Sequence, residues 1–289
     1  GLSTRPPAQP GPRSSCTLPR DRTIRRACLF AGHDPDGIVD PTVVRYLEEL
    51  SRHADVYYLH DGPLRPGELD KLRSVTRGAW AISHGAYDFG SYRLLAGELV
   101  GWEQIERYDE LVLANDSAYL LRPLDPVFSR MQSRSCDWWG LQATKGIHAT
   151  RHEAANRFRH PIALAEVKRD WLPRYEHEYH HDFLVGSYFM AFRQPVIRDQ
   201  RFRRFLNAVT RQSRKLNIVR KYEIGLTRML IAWGHDFDTY IADLHPLHPV
   251  YSAIAFQLID QGFPLLKRNL LAQNHYLTPG LDEWKAHVT

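Results

Sequence analysis

Tyr108-Asp109-Glu110-Leu111-Val112-Leu113-Ala114-Asn115-Asp116-Ser117 is the stretch that decides the fold. A short apolar strand runs from Glu110 to Ala114 and then stops at three polar side chains. In an open parallel sheet, ligands bind at the carboxyl ends of the strands, and a strand that ends this way marks such an edge.

Upstream, strands and helices alternate. Ala27-Cys28-Leu29-Phe30-Ala31 reads as a buried strand that ends in the loop Gly32-His33-Asp34-Pro35-Asp36-Gly37. Pro41 to His53 has helical spacing (Val44, Tyr46, Leu47, Leu50), with proline where a first turn favours it. Val56–Leu59 predicts a second strand, Pro66–Val75 a shorter helix, Gly78–Ser83 a third strand and Asp88–Trp102 a helix. Short connections between such elements predict a mostly parallel α/β sheet flanked by helices. Right-handed crossovers then bring the loops after Ala31, Ser83 and Ala114 to one edge.

Downstream, Cys136–Leu141 predicts a strand beside that edge. Residues 145–180 are polar and rich in His, Arg and Glu, which suggests an insertion or a cover over the substrate. Phe183–Phe192 reads as a strand, Pro195–Asn207 and Tyr222–Trp233 as helices. The last apolar stretch contains Phe263-Pro264-Leu265-Leu266-Lys267-Arg268. Residues 1–22, rich in Pro, Ser and Arg, read as a disordered leader. Residues 23–289 then form one domain, with a first half of about 23–143 and a second of about 144–289.

Composition narrows the class. Of 289 residues, 43% are hydrophobic and 25% charged, enough apolar material for an ordinary globular core. No apolar run reaches the roughly 18 residues that span a bilayer. Cys16, Cys28 and Cys136 lack paired spacing, which fits a reducing compartment and a cytoplasmic location. The net charge of +5 is concentrated in 193–221, where Arg193, Arg198, Arg201, Arg203, Arg204, Arg211, Arg214, Lys215, Arg220 and Lys221 fall together. Such a face suits anionic lipid or a diphosphate, or is simply solvated. Aromatic residues do not interleave with these arginines, which argues against nucleic acid. The region offers a peripheral contact with the inner membrane face.

Tyr222-Glu223-Ile224-Gly225-Leu226-Thr227-Arg228 places one carboxylate where an amphipathic helix begins. Glu223 is a candidate general base, or a residue that the helix dipole favours. Asp182, after His180-His181, is the rival base, or a cap before a strand. Asp88 caps the following helix or meets a ligand. His33 and Asp34 form a turn or touch a ligand. Trp138-Trp139 is either core or a flat wall for a sugar ring. The histidines between His148 and His181 lack zinc spacing.

In order along the chain come an Asp/Gly loop, Tyr87-Asp88-Phe89-Gly90-Ser91-Tyr92, Tyr108-Asp109-Glu110 leading to Asn115-Asp116-Ser117, Asp137-Trp138-Trp139-Gly140, Ser187-Tyr188-Phe189, Tyr222-Glu223, and Pro264-Leu265-Leu266-Lys267-Arg268. Over residues 26 to 270 this series resembles the rhamnan synthesis protein F family, rhamnosyltransferases of bacterial cell-wall and O-antigen polysaccharides. The resemblance implies a GT-A-like glycosyltransferase fold with a helical C-terminal acceptor region. It implies inverting transfer of a deoxysugar, rhamnose from dTDP-rhamnose, to a glycan or lipid-linked glycan. Donor contacts are then expected from His33, Asp34, His84, Asp88, Asn115, Asp116, Ser117, Lys267 and Arg268, acceptor contacts from Trp138, Trp139 and Tyr188. Where the family carries Arg, Asn and Gly before Tyr-Asp-Phe-Gly, this chain has Ile82, His84 and Ala86. A donor contact is therefore either missing or supplied by His84.

Related enzymes end the central strand in Asp-x-Asp to hold a divalent ion on the diphosphate. Here only Asp116 is a carboxylate. Two alternatives stand: Mg²⁺ or Mn²⁺ on Asp116, or metal-independent action in which Lys267, Arg268 and the His245/His248 pair stabilise the phosphate. Two other functions compete with transfer. One is a non-catalytic glycan- or nucleotide-binding protein derived from a transferase. The other is a metal-dependent phosphoesterase built on His33–Gly37, for which His180-His181-Asp182 runs in the reverse order.

Overall fold

Alternate residues of β1 (Arg26–Gly32) face opposite ways, and both faces are apolar. Ala27, Leu29 and Ala31 enter one core, Cys28 and Phe30 another. A strand buried on both faces belongs inside a sheet covered by layers on both sides. The computed structural model of the chain, which describes residues 15–145, 161–174, 183–210, 222–223, 225–245 and 254–273, has that arrangement. β1 pairs in parallel with β2 (Asp55–His60) and β4 (Glu110–Asn115), and β3 (Gly78–Ala81) extends the sheet beyond β2. Beyond β4 lie β10 (Phe189–Arg193), antiparallel, then β6 (Trp138–Gly140) and β11 (Phe237–Thr239). The order is β3-β2-β1-β4-β10-β6-β11. The chain steps outward from β1 to β3 and then returns on the other side of β1, so the order reverses between β1 and β4. That reversal opens a crevice at their carboxyl ends. The expected mostly parallel α/β sheet flanked by helices is the one observed.

Helix α1 (Pro41–Ser51) lays Val43, Tyr46, Leu47 and Leu50 on one face of the sheet. Asp40 caps it, accepting from the Thr42 amide at 2.7 Å. Helix α2 (Tyr87–Leu94) covers the opposite face with Phe89 and Tyr92, beside the helices Gln200–Asn207 and Gly225–Ala232. The indoles of Trp138 and Trp139 point to opposite cores, and both are fully buried. At the amino end of the sheet, the Glu110 carboxylate receives Arg26 Nε at 2.9 Å, Arg193 Nε at 3.0 Å and Trp139 Nε1 at 2.9 Å. A buried charge needs such partners, and this pairing fixes Arg193 inside the protein rather than on the basic face expected for it.

Several elements differ from the sequence reading, each for a local reason. Pro66–Val75 gives only a 3₁₀ turn at Leu69–Leu72, because Gly67 enters with φ +82° and sets the chain off the helical path. The helix expected to reach Trp102 loosens into a π turn at Leu95–Leu99 and stops at Gly101, φ +91°. Phe183–Phe192 divides into β9 (Phe183–Val185) and β10, because β9 pairs with β7 (Ala143–Lys145) in a separate sheet. Pro195–Asn207 divides at Asp199, whose carboxylate caps the second helix on the Arg201 amide. After Asp116 the chain turns into β5 (Ala118–Leu120), antiparallel to β13 (Leu265–Lys267). Part of the leader is packed as well: Leu18 is buried, and Arg22 grips Asp109 through two bonds of 2.7 Å. No helix among the described residues is long and apolar enough to cross a membrane.

Candidate functional site

A cleft of about 790 Å³ opens at the carboxyl ends of β1 and β4. The loops after β1, β3 and β4 all line it, as the topology requires. Three distant segments complete its wall: Tyr188 before β10, Glu223 before the helix Gly225–Ala232, and Lys267-Arg268 at the end of β13. The cleft straddles the edge of the sheet. Phe89 of α2 stacks on Tyr222 at 5.8 Å, which sets Glu223 on the α2 side. Arg268 donates to Thr42 Oγ1 at 2.6 Å, which sets the cations on the α1 side.

The polar triplet is tied down from every direction. Asn115 donates Nδ2 to Asp88 at 2.9 Å and accepts from the Ser117 amide at 3.0 Å. Asp116 accepts from the His33 amide at 2.8 Å, stapling the end of β4 to the end of β1. Lys267 Nζ donates to Ser117 Oγ at 2.7 Å and lies 4.4 Å from the centre of the Tyr188 ring. Arg268 Nε donates to the Asp116 carbonyl at 2.7 Å, and its guanidinium covers the Tyr119 ring. The β5–β13 pairing enforces this by setting Lys267 opposite Ala118. Burial penalises the charged form of Asp116 more than the His33 amide and Arg268 favour it, and its pKa is pushed up to about 6.

Of the residues expected to act together, Glu223, His33, Asp34, Asp88, Asn115, Asp116, Ser117, Lys267, Arg268 and Tyr188 all border this one cleft. Asp88 does not cap α2, whose N-cap is Ala86. It stands in the first turn and turns its carboxylate to Asn115. His84 lies behind the wall: Nδ1 accepts from the Ala86 amide at 3.0 Å, leaving Nε2 to donate to Ser91 Oγ at 2.8 Å. Burial depresses its pKa, so a neutral ring holds the turn into α2 in place of meeting the donor. Trp138 and Trp139 correct another expectation. Both are 0% exposed, packed against Phe192, Phe237 and Phe189, and no sugar can lie on them. His245 is buried in the second sheet, away from the phosphate role foreseen for it. Asp182, His248 and most of 146–180 lie outside the described residues.

Two cleft residues escaped the sequence reading. Asp61, after β2, accepts from the amides of His84 and Gly85 at 3.0 and 3.1 Å and so shapes the loop before α2. Nothing but its place after a strand marked it. Tyr87 has φ +56°, and the residue is 41% exposed in the cleft wall. A left-handed tyrosine leaves no trace in a sequence pattern.

The triplet fits a divalent ion poorly. Both amide atoms of Asn115 are engaged within the protein, Ser117 Oγ holds Lys267, and one Asp116 oxygen holds His33. Among the described residues, the three-ligand group close enough to chelate is Glu49, His53 and Asp125, which lies outside the cleft, and Arg52 already bridges its two carboxylates. The cleft supplies two side-chain cations where a two-carboxylate site would supply none.

The sequence matches the model of the rhamnan synthesis protein F family over residues 58–284. The chain belongs to this family. No curated protein sequence matches it. Among solved structures it is similar to the bifunctional glycosyltransferase WbbM in its apo form, with 8% identity and a TM-score of 0.43, over 87% of this chain and 47% of that one. This chain therefore spans about half the length of WbbM. It is also similar to core-mannan synthase A from Aspergillus fumigatus in an Mn/GDP form, with 10% identity, a TM-score of 0.39 and 76% of each chain covered. Mouse xyloside xylosyltransferase 1 is similar at 8% identity and a TM-score of 0.39, over 80% of this chain and 87% of that one.

Proposed function

We propose that the cleft transfers a deoxysugar with inversion from a nucleoside diphosphate, rhamnose from dTDP-rhamnose, to a hydroxyl of a growing glycan. The observation that carries this reading is the meeting of Glu223 with Lys267 and Arg268 in one cleft across the sheet edge. Inverting displacement needs a carboxylate on the acceptor side and positive charge on the leaving-group side. The Glu223 carboxylate takes the proton of the acceptor hydroxyl as its oxygen bonds to the anomeric carbon. The bond from that carbon to the diphosphate breaks, and the nucleoside diphosphate leaves with both electrons.

Lys267 and Arg268 meet that developing charge on the α1 side. Charge-assisted bonds to phosphate oxygens are worth about twice neutral ones. The acceptor in this reading is a glycan carried on a lipid at the inner membrane face, and the exposed Arg201 and Arg204 of the helix Gln200–Asn207 suit contact with anionic headgroups. Calorimetric titration of dTDP, UDP and GDP, each with EDTA and with Mn²⁺, tests the donor side. The reading expects dTDP to bind in EDTA, and binding that appears only with Mn²⁺ contradicts the role given to the two cations.

A further inference from the structure

The cleft contains one residue held at an energetic disadvantage that the mechanism above leaves unused. Among the described residues, Tyr87 alone of the non-glycine residues has a φ in the left-handed region. For an aromatic residue that conformation crowds Cβ against its own backbone, and such outliers persist where the surroundings impose them and function gains from them. Its neighbours impose it. On one side Gly85, itself at φ +67°, is held by Asp61. On the other, Asp88 is held by Asn115. The peptide between these two anchors has no freedom to relax.

The result is an exposed ring on the cleft wall. Tyr87 is one of two large apolar side chains more than a third exposed among the described residues, and the other, Ile82, does not border the cleft. Burying this ring would stabilise the fold, and turning it outward costs strain as well. Its neighbour but one, Phe89, stacks on Tyr222, so the ring stands on the Glu223 side of the cleft, across from Lys267 and Arg268. A ligand group resting there is on the reaction side, away from the phosphates.

We infer that the Tyr87 ring is the platform on which a pyranose lays its apolar C–H face beside Glu223, the part expected of Trp138-Trp139. This rests on the transferase reading. The sugar can belong to donor or acceptor, and the two are separated by probes. dTDP has no sugar ring at the reaction side, dTDP-rhamnose has the donor ring, and methyl rhamnoside imitates an acceptor without phosphate.

The test compares wild type, Tyr87→Ala and Tyr87→Gly by titration with the three probes and by thermal unfolding. Tyr87→Ala weakens dTDP-rhamnose or methyl rhamnoside, whichever rests on the ring, by about tenfold, as loss of a stacked ring does, and leaves dTDP unchanged. Tyr87→Gly loses the same affinity yet raises Tm, since glycine takes φ +56° without strain. A residue serving structure alone would lose both. Unchanged affinity for both sugar probes, an equal loss for dTDP alone, or a lower Tm for Tyr87→Gly overturns the assignment. Wild type binding none of the three probes sinks the transferase reading itself, and this inference with it.

Discussion

Asp116 keeps its proton up to about pH 6 because burial outweighs the His33 amide and Arg268. Its folded pKa thus lies above the ordinary carboxylate value, so the folded state binds the proton more tightly than the unfolded chain does. The resulting stability is complete below about pH 4 and is lost as pH rises through 6. Asp116→Asn keeps an acceptor for the His33 amide and removes the charge. Urea unfolding at pH 8 is expected to find it more stable than wild type by about 1–3 kcal/mol, with no gain at pH 4. An equal difference at both pH values would disprove the account. Lys267→Ala and Arg268→Ala each remove a charged donor from the α1 side. Each is expected to weaken dTDP by about 1.5–3 kcal/mol in EDTA, the range for hydrogen bonds to charged groups. A full return of affinity to the variants on adding Mn²⁺ alone would show an ion doing their work.

At the scale of elements, the run from β1 to β4 was readable because apolar strands bounded by Gly, Pro and polar loops leave a plain period in the sequence. The site edge followed from that alternation without any motif, and so did the cleft position of Asn115, Asp116 and Ser117. What escaped depended on partners far along the chain. Lys267 and Ser117 were both expected at the donor, but not their bond across 150 residues, since no local pattern says that a three-residue strand will find β5. Trp138-Trp139 misled for a similar reason: a strand between β10 and β11 buries both faces, which two adjacent indoles alone cannot reveal. Gly140 shows how closely the elements meet. A Cβ there would stand 2.3 Å from Val185 Cγ1, so Gly140→Ala forces β6 and β9 apart. The cost is about 1–3 kcal/mol, as for other overpacked cores. Adding Val185→Ala is expected to recover much of it, and equal stability of single and double variants in urea would refute the contact.

The whole molecule separates its tasks between the two ends of the sheet. At the amino end, His235 Nε2 meets Asp199 at 2.8 Å while Asp137 stands 3.8 Å from Nδ1, joining the loop before β11 to the helix at 200–207 and to the strand β6. Burial disfavours the imidazolium, but the two carboxylates outweigh it and raise its pKa. The stability this gives is complete below the ordinary histidine value near 6.5 and is lost as pH rises through the folded value. His235→Ala is expected to cost more at pH 6 than at pH 9, measured by denaturant titration, and a pH-independent cost would contradict the clamp. At the carboxyl end, segments from seven parts of the chain converge on one cleft, and the proposed chemistry requires that they act on one ligand. The measurement that bears on this most directly is Glu223→Gln, assayed for nucleoside diphosphate release with a rhamnose acceptor and for dTDP-rhamnose affinity. Turnover is expected to fall by about 10³-fold, within the range for loss of a general base, with donor affinity within a factor of three of wild type. Turnover at the wild-type rate would remove Glu223 from the chemistry and leave the two sides of the cleft unconnected.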